Sequence, residues 1–189
     1  MPQEISKRRR SRRALIAVDF INPLDLSADP QFHERALAAA HRAARLAERF
    51  RRDGDPVIFA NDHFGEWTRD FSALVEQCST GRTPGARLAK VIAPQPSDFP
   101  ILKPRHSAFF GSPLEFLLEE LGARSLVITG IAADNCVLFT ASDAYLRKYE
   151  LWVPADCVVA ERDADRHTAL AHMQRVLKAR TAPTSAAEE

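Results

Sequence analysis

Residues 126–148 read LVITGIAADNCVLFTASDAYLRK. The first four, Leu126–Thr129, form an unbroken apolar run of strand length, the pattern of a strand buried on both faces. Gly130 ends the run, a turn of small residues follows, and Asp134–Lys148 reads as a helix. A doubly buried strand that passes within a few residues into a helix is the repeating unit of a parallel sheet clothed by helices.

The same alternation extends outward from this segment. Upstream, Ser112-Pro113 opens a helix that runs to Gly122, with a cap-like serine and proline at its first position. Ile101–Lys103 is a short strand ending on a lysine, and Gly81–Pro100, rich in Gly and Pro, reads as loop with one helical turn. Phe71–Cys78 is a brief helix and Pro56–Ala60 a buried strand. In Pro30–Arg52, Leu37, Ala40, Ala44 and Ala47 recur at helical spacing, and Asp53-Gly54 supplies a stop. Ala14–Phe20 is an apolar strand carrying an acid near its end. Downstream come a strand at Glu150–Val153 and a helix at Asp163–Ala179. Residues 179–183 carry a weak sixth-strand signal.

The chain's 189 residues suffice for one domain with a real core. At 46% hydrophobic and 27% charged, a largely disordered or coiled-coil chain is excluded. No apolar run approaches the roughly 18 residues of a membrane span. The formal charge of +1 conceals a split. Residues 1–13 hold six cations against Glu4, a local +5, which leaves −4 for the other 176 residues. The expected organisation is a basic, disordered leader at 1–13, a domain at 14–180 and a flexible tail at 181–189. The leader has no apolar stretch of the secretory kind, and it is read as a solvated arm rather than a nucleic-acid contact. Cys78, Cys136 and Cys157 are odd in number and scattered, with neither a disulfide framework nor zinc spacing, which suits a reducing cytoplasm.

Parallel sheets bind ligands beyond the carboxyl ends of their strands. Three reactive side chains fall there: Asp19 after the first strand, Lys103 at the end of the third, and Cys136 after the fourth. A thiol reacts as its thiolate, which a nearby cation and a helix N-terminus both favour. Asp19 is placed to accept the thiol proton and return it to a leaving amine.

The turn Gly130-Ile131-Ala132-Ala133-Asp134-Asn135-Cys136-Val137 resembles the nucleophile turn of the isochorismatase-like cysteine hydrolases. So do Val18-Asp19-Phe20-Ile21-Asn22 and Leu102-Lys103-Pro104-Arg105-His106-Ser107-Ala108-Phe109, in the same order and on the same elements. The resemblance spans residues 14–178. It implies a Rossmann-like α/β fold, a three-layer α/β/α sandwich whose mostly parallel sheet has five to six strands. It assigns Cys136 as nucleophile, Asp19 as proton carrier and Lys103 as charge stabiliser. It further implies a cis peptide between Ile131 and Ala132, with the Ala132 and Cys136 N–H groups facing a developing oxyanion. One such donor is worth roughly 3–4 kcal/mol of barrier.

The expected activity is hydrolysis of a C–N bond in a small amide, ureido or carbamoyl compound through a thioester, without a cofactor. Two alternatives stand beside it: a vinyl-ether hydrolase that needs no covalent cysteine, and a non-enzymatic binding member of the fold. Nicotinamidases of this family place Asp-x-His after the second strand to hold a metal. Here Asp62-His63-Phe64 puts phenylalanine where that histidine belongs, so no metal is expected. Asn22, Phe64, Trp67, Arg105 and Phe109 are candidate substrate contacts, and Arg105 is suited to a two-pronged contact with a carboxylate. Phe71 is a further candidate wall. For the aromatics the plain alternative is core packing, and for Arg105 and His106 a surface pair. Members of the family are often dimers or tetramers, so a homo-oligomer is implied, although no seam is legible.

Overall fold

The computed structural model describes residues 11–24 and 27–187, so residues 1–10 of the basic leader lie outside the described residues. The chain alternates strand and helix: β1 (Arg13–Val18), α1 (Pro30–Asp53), β2 (Val57–Asp62), α2 (Phe71–Thr80), α3 (Gly85–Val91), β3 (Phe99–Lys103), α4 (Leu114–Leu121), β4 (Ser125–Ile131), α5 (Cys136–Leu146), β5 (Glu150–Trp152), β6 (Val158–Val159) and α6 (Asp163–Val176). The sheet order is β3-β2-β1-β4-β5, with β6 also on β4, and the strand pairs are parallel. This is the expected three-layer α/β/α sandwich.

Strand alternation sorts the core into two layers. Leu15, Ala17 and Phe59 pack with residues of α1, α2 and α3, including Leu46, Phe50, Leu74 and Leu88. Ala14, Ile16, Val18 and Ile58 pack with α4, α5 and α6 through Leu114, Leu118, Val137 and Met173. α1 starts where Asp29 accepts hydrogen bonds from the Gln31 and Phe32 N–H groups ahead of Pro30, and it stops at left-handed Gly54. Its buried stripe is mostly alanine, so the helix lies close to the sheet.

Several readings change. The Gly/Pro-rich stretch contains a two-turn helix, α3, and Gly85 opens it rather than breaking it. The Gly85 N–H donates to Pro23 O at 2.9 Å, and a Cβ there would fall 1.7 Å from Asn22 O. The glycine is there for close approach. Pro100 lies inside β3, which is tolerable because β3 is an edge strand. The last strand is interrupted: β5 and β6 both pair with β4, and Pro154–Cys157 bulges between them. The region of the weak sixth strand contributes one bridge, Trp152 to Arg180.

Both expected domain ends also differ. Arg13 is a strand residue paired with Asp53 and Asp55 rather than the end of a free leader. The tail is tied down at its start. Trp152 Nε1 donates to Ala182 O at 2.8 Å, and Thr184 Oγ1 donates to Asp156 Oδ2 at 2.6 Å. No helix among the described residues is long and apolar enough to cross a membrane.

Candidate active site

β1 lies at the centre of the sheet, with β2 and β3 to one side and β4 to the other, so strand order reverses between β1 and β4. Asp19 follows β1 and Cys136 follows β4, on the two sides of that switch point. Lys103 ends β3, two strands from β1, and its four-carbon stem bridges the gap. Lys103 Nζ lies 2.8 Å from Asp19 Oδ2 and 3.7 Å from Cys136 Sγ, and it donates to Arg105 O at 3.2 Å. An ammonium has three donors, and here each has an acceptor, so a fully buried cation is satisfied.

Asp19 is 4% exposed and sits at φ 51, a left-handed conformation that aspartate tolerates better than most residues. Its Oδ1 accepts the Asp62 N–H at 2.8 Å. Burial raises its pKa, while Lys103, Cys136 and the Asp62 N–H oppose the rise. Burial also pushes the Cys136 thiol up to about 12. The Asp19 charge adds to that rise and Lys103 only partly offsets it. Cys136 is the first residue of α5 and is half-buried, and desolvation and the neighbouring carboxylate outweigh the cation. The Asp19 carboxylate is the group beside the thiol that can accept its proton.

The Ile131–Ala132 peptide is cis. Neither the Ala132 nor the Cys136 N–H donates to a backbone carbonyl among the described residues.

Beside these groups lies an open cleft of about 720 Å³, lined in part by Asp62, Phe64, Trp67, Arg105, His106 and Phe110. Of the residues singled out from the sequence, Phe64, Trp67 and Arg105 line this cleft. Phe109 does not. It is buried, with its ring 6.2 Å from Tyr149 and 4.8 Å from the Arg147 guanidinium, and Phe110 takes the place at the cleft. Asn22 closes its own turn by accepting the Leu24 N–H at 2.8 Å and is not a cleft residue. Phe71 packs against Phe59 in the core. Sequence reasoning left His106 as a surface residue, yet its Nδ1 lies 3.9 Å from Cys136 Sγ.

The side chains after β2 do not fit a metal. Asp62 Oδ1 accepts the Phe64 N–H at 2.6 Å, and Oδ2 lies 3.9 Å from the Lys103 ammonium. His63 Nδ1 accepts the Gly65 N–H at 2.9 Å. No group of three or more ligating side chains converges among the described residues.

The pattern of the Isochorismatase domain matches residues 13–189. The chain is 36% identical over 168 residues to an uncharacterised isochorismatase family protein, YaaI, of Bacillus subtilis (strain 168), covering 89% of this chain and 92% of that one. It is 29% identical over 164 residues to a maleamate amidohydrolase of Pseudomonas putida (strain KT2440), covering 82% and 76%. The solved N-carbamoylsarcosine amidase of Thermoplasma acidophilum superposes with a TM-score of 0.70 at 29% identity, covering 92% of this chain and 96% of that one. With the domain pattern spanning residues 13–189 and 36% identity to a family member over most of both chains, the chain belongs to the isochorismatase family.

Proposed function

We propose that this isochorismatase-family hydrolase cleaves a C–N bond of a small amide, ureido or carbamoyl compound through a thioester on Cys136. The observation that carries the reading is the single ammonium of Lys103 in contact with both Asp19 and Cys136 beside an open cleft. Similarity to amidohydrolases of the family supports it.

In the first half-reaction Asp19 takes the thiol proton as Sγ attacks the carbonyl carbon. The oxyanion meets the Ala132 and Cys136 N–H groups, which are fixed before the reaction begins. When the C–N bond breaks, Asp19 gives its proton to the departing nitrogen, so ammonia or an amine leaves neutral. Water then hydrolyses the thioester. Lys103 holds Asp19 in place and balances its charge in a site that excludes solvent.

The test is a panel of small amides, ureides and carbamoyl compounds with ammonia or amine release as readout. Cys136→Ala is expected to lower kcat on the turned-over compound by at least about 10³-fold. Full turnover by that variant would end the covalent reading. Turnover without any trapped thioester mass would favour a non-covalent hydrolase that uses Asp19 alone.

A further inference from the structure

The thioester proposed above must be reached by water, and the inner side of the sulfur is closed to it. Asp19 and Lys103 are 4% and 0% exposed. The oxygens of Asp19 are engaged by Lys103 and by the Asp62 N–H. The neighbouring cleft has none of Asp19, Lys103 and Cys136 in its lining, and it meets the sulfur through His106. Among the cleft residues, His106 is the one with a side-chain contact to the sulfur, at 3.9 Å from Nδ1.

The imidazole is exposed, yet it is oriented. Its ring stacks on Phe139 with centroids 5.6 Å apart and planes 23° apart. Phe139 lies on α5 three residues after Cys136, so nucleophile and stacking partner belong to one rigid helix. Imidazole is the side chain best suited both to accept and to donate a proton near neutral pH. The other carboxylate at the cleft, Asp62, has its oxygens turned to the Phe64 N–H and toward Lys103. The charged and titratable groups around His106 are Arg105 beside it, Asp62 and His63 in the same cleft, and Cys136 backed by Lys103.

We propose that His106 is a second proton carrier, dedicated to the half-reaction that releases the acid. This rests on the thioester reading above. Asp19 has already given its proton to the departing nitrogen and stands as a carboxylate. Neutral His106 takes a proton from the attacking water as the new C–O bond forms. The tetrahedral adduct collapses, the C–S bond breaks, and the sulfur leaves as a thiolate beside a negative Asp19. His106 Nδ1 returns the proton to that sulfur. The product is a carboxylic acid that ionises in solvent, and the enzyme regains thiol, neutral imidazole and carboxylate. The two carriers divide the cycle: the buried one serves the leaving amine and the exposed one serves the incoming water.

The experiment uses the full-length protein and p-nitrophenyl acetate as the acylating probe. Protein is acetylated, freed of reagent, and the loss of the acetyl mass is followed with time. His106→Gln is expected to acetylate within about twofold of the wild-type rate and to lose the acetyl group on the order of 10²-fold more slowly. The pH dependence of the release rate should differ between wild type and variant. Release at the wild-type rate with an unchanged pH profile would overturn the role of His106. Uptake of acetyl by Cys136→Ala equal to wild type would instead remove the thioester itself, an outcome separable from the first.

Discussion

Cys136 sits between a carboxylate and an ammonium, and the two pull its proton in opposite directions. Asp19 raises the thiol pKa and Lys103 lowers it, with burial setting the resting value near 12. Alkylation follows the thiolate fraction, which is small for a thiol raised this far. Slow labelling by iodoacetamide is therefore expected of the wild type even though Cys136 is the proposed nucleophile. Asp19→Asn removes a charge that holds the proton on sulfur, so it should speed labelling of Cys136 at pH 8 while abolishing turnover. Lys103→Met should slow labelling further. Peptide mapping with pH separates Cys136 from Cys78 and Cys157, both of which are buried. Slower labelling in Asp19→Asn would contradict the electrostatic assignment. At this scale the sequence was most legible at or shortly after a strand's end, where Asp19, Lys103 and Cys136 lie. It failed at Phe109 and Phe110. Their stretch has no regular period, and which ring faces out is set by turn contacts such as Ser107 Oγ to Asp143 Oδ2 at 2.5 Å and Ser112 Oγ to Ala108 O at 2.5 Å.

Among the elements, α3 shows how a helix can be hidden in a sequence. Gly and Pro punctuate residues 81–100, and composition there favours loop. The structure spends one of those glycines on contact with the chain that follows Asp19, which no local pattern reveals. A methyl group at Gly85 would stand 1.7 Å from Asn22 O and 2.6 Å from Pro23 C. Gly85→Ala is therefore expected to destabilise the fold by about 2–3 kcal/mol, read from the urea midpoint. It should also lower kcat, because the displaced backbone carries Asn22, three residues past the proposed base. Gly54→Ala is the control. It meets open space at φ +81, so it should cost only about 1–2 kcal/mol through backbone strain and leave kcat unchanged. The strands were easier to find, since their runs are continuous and apolar. The exception is β6, whose two residues are too short to carry a period.

For the molecule as a whole, alternation of strand and helix was enough to give a parallel sheet with two covered faces. The order of strands was not readable, because it depends on long-range pairing. That order decides that the residue ending an edge strand must reach past β2 to the carboxylate after β1. The reach of Lys103 makes the chemistry a reporter of the sheet's margin. Edge strands open at lower free energy than central ones, and when β3 lifts away it withdraws the only buried ammonium among the described residues from Asp19 and from the sulfur together. In a urea titration, activity should fade at concentrations where helical circular dichroism is still intact, and exchange of the Ile101 and Leu102 amides should rise in step with that loss. Coincident loss of activity and helix would show that the edge holds as firmly as the centre. If activity fades first, the protein carries its catalytic fuse at the border of its sheet: the first part to yield under stress is the part without which the nucleophile cannot work.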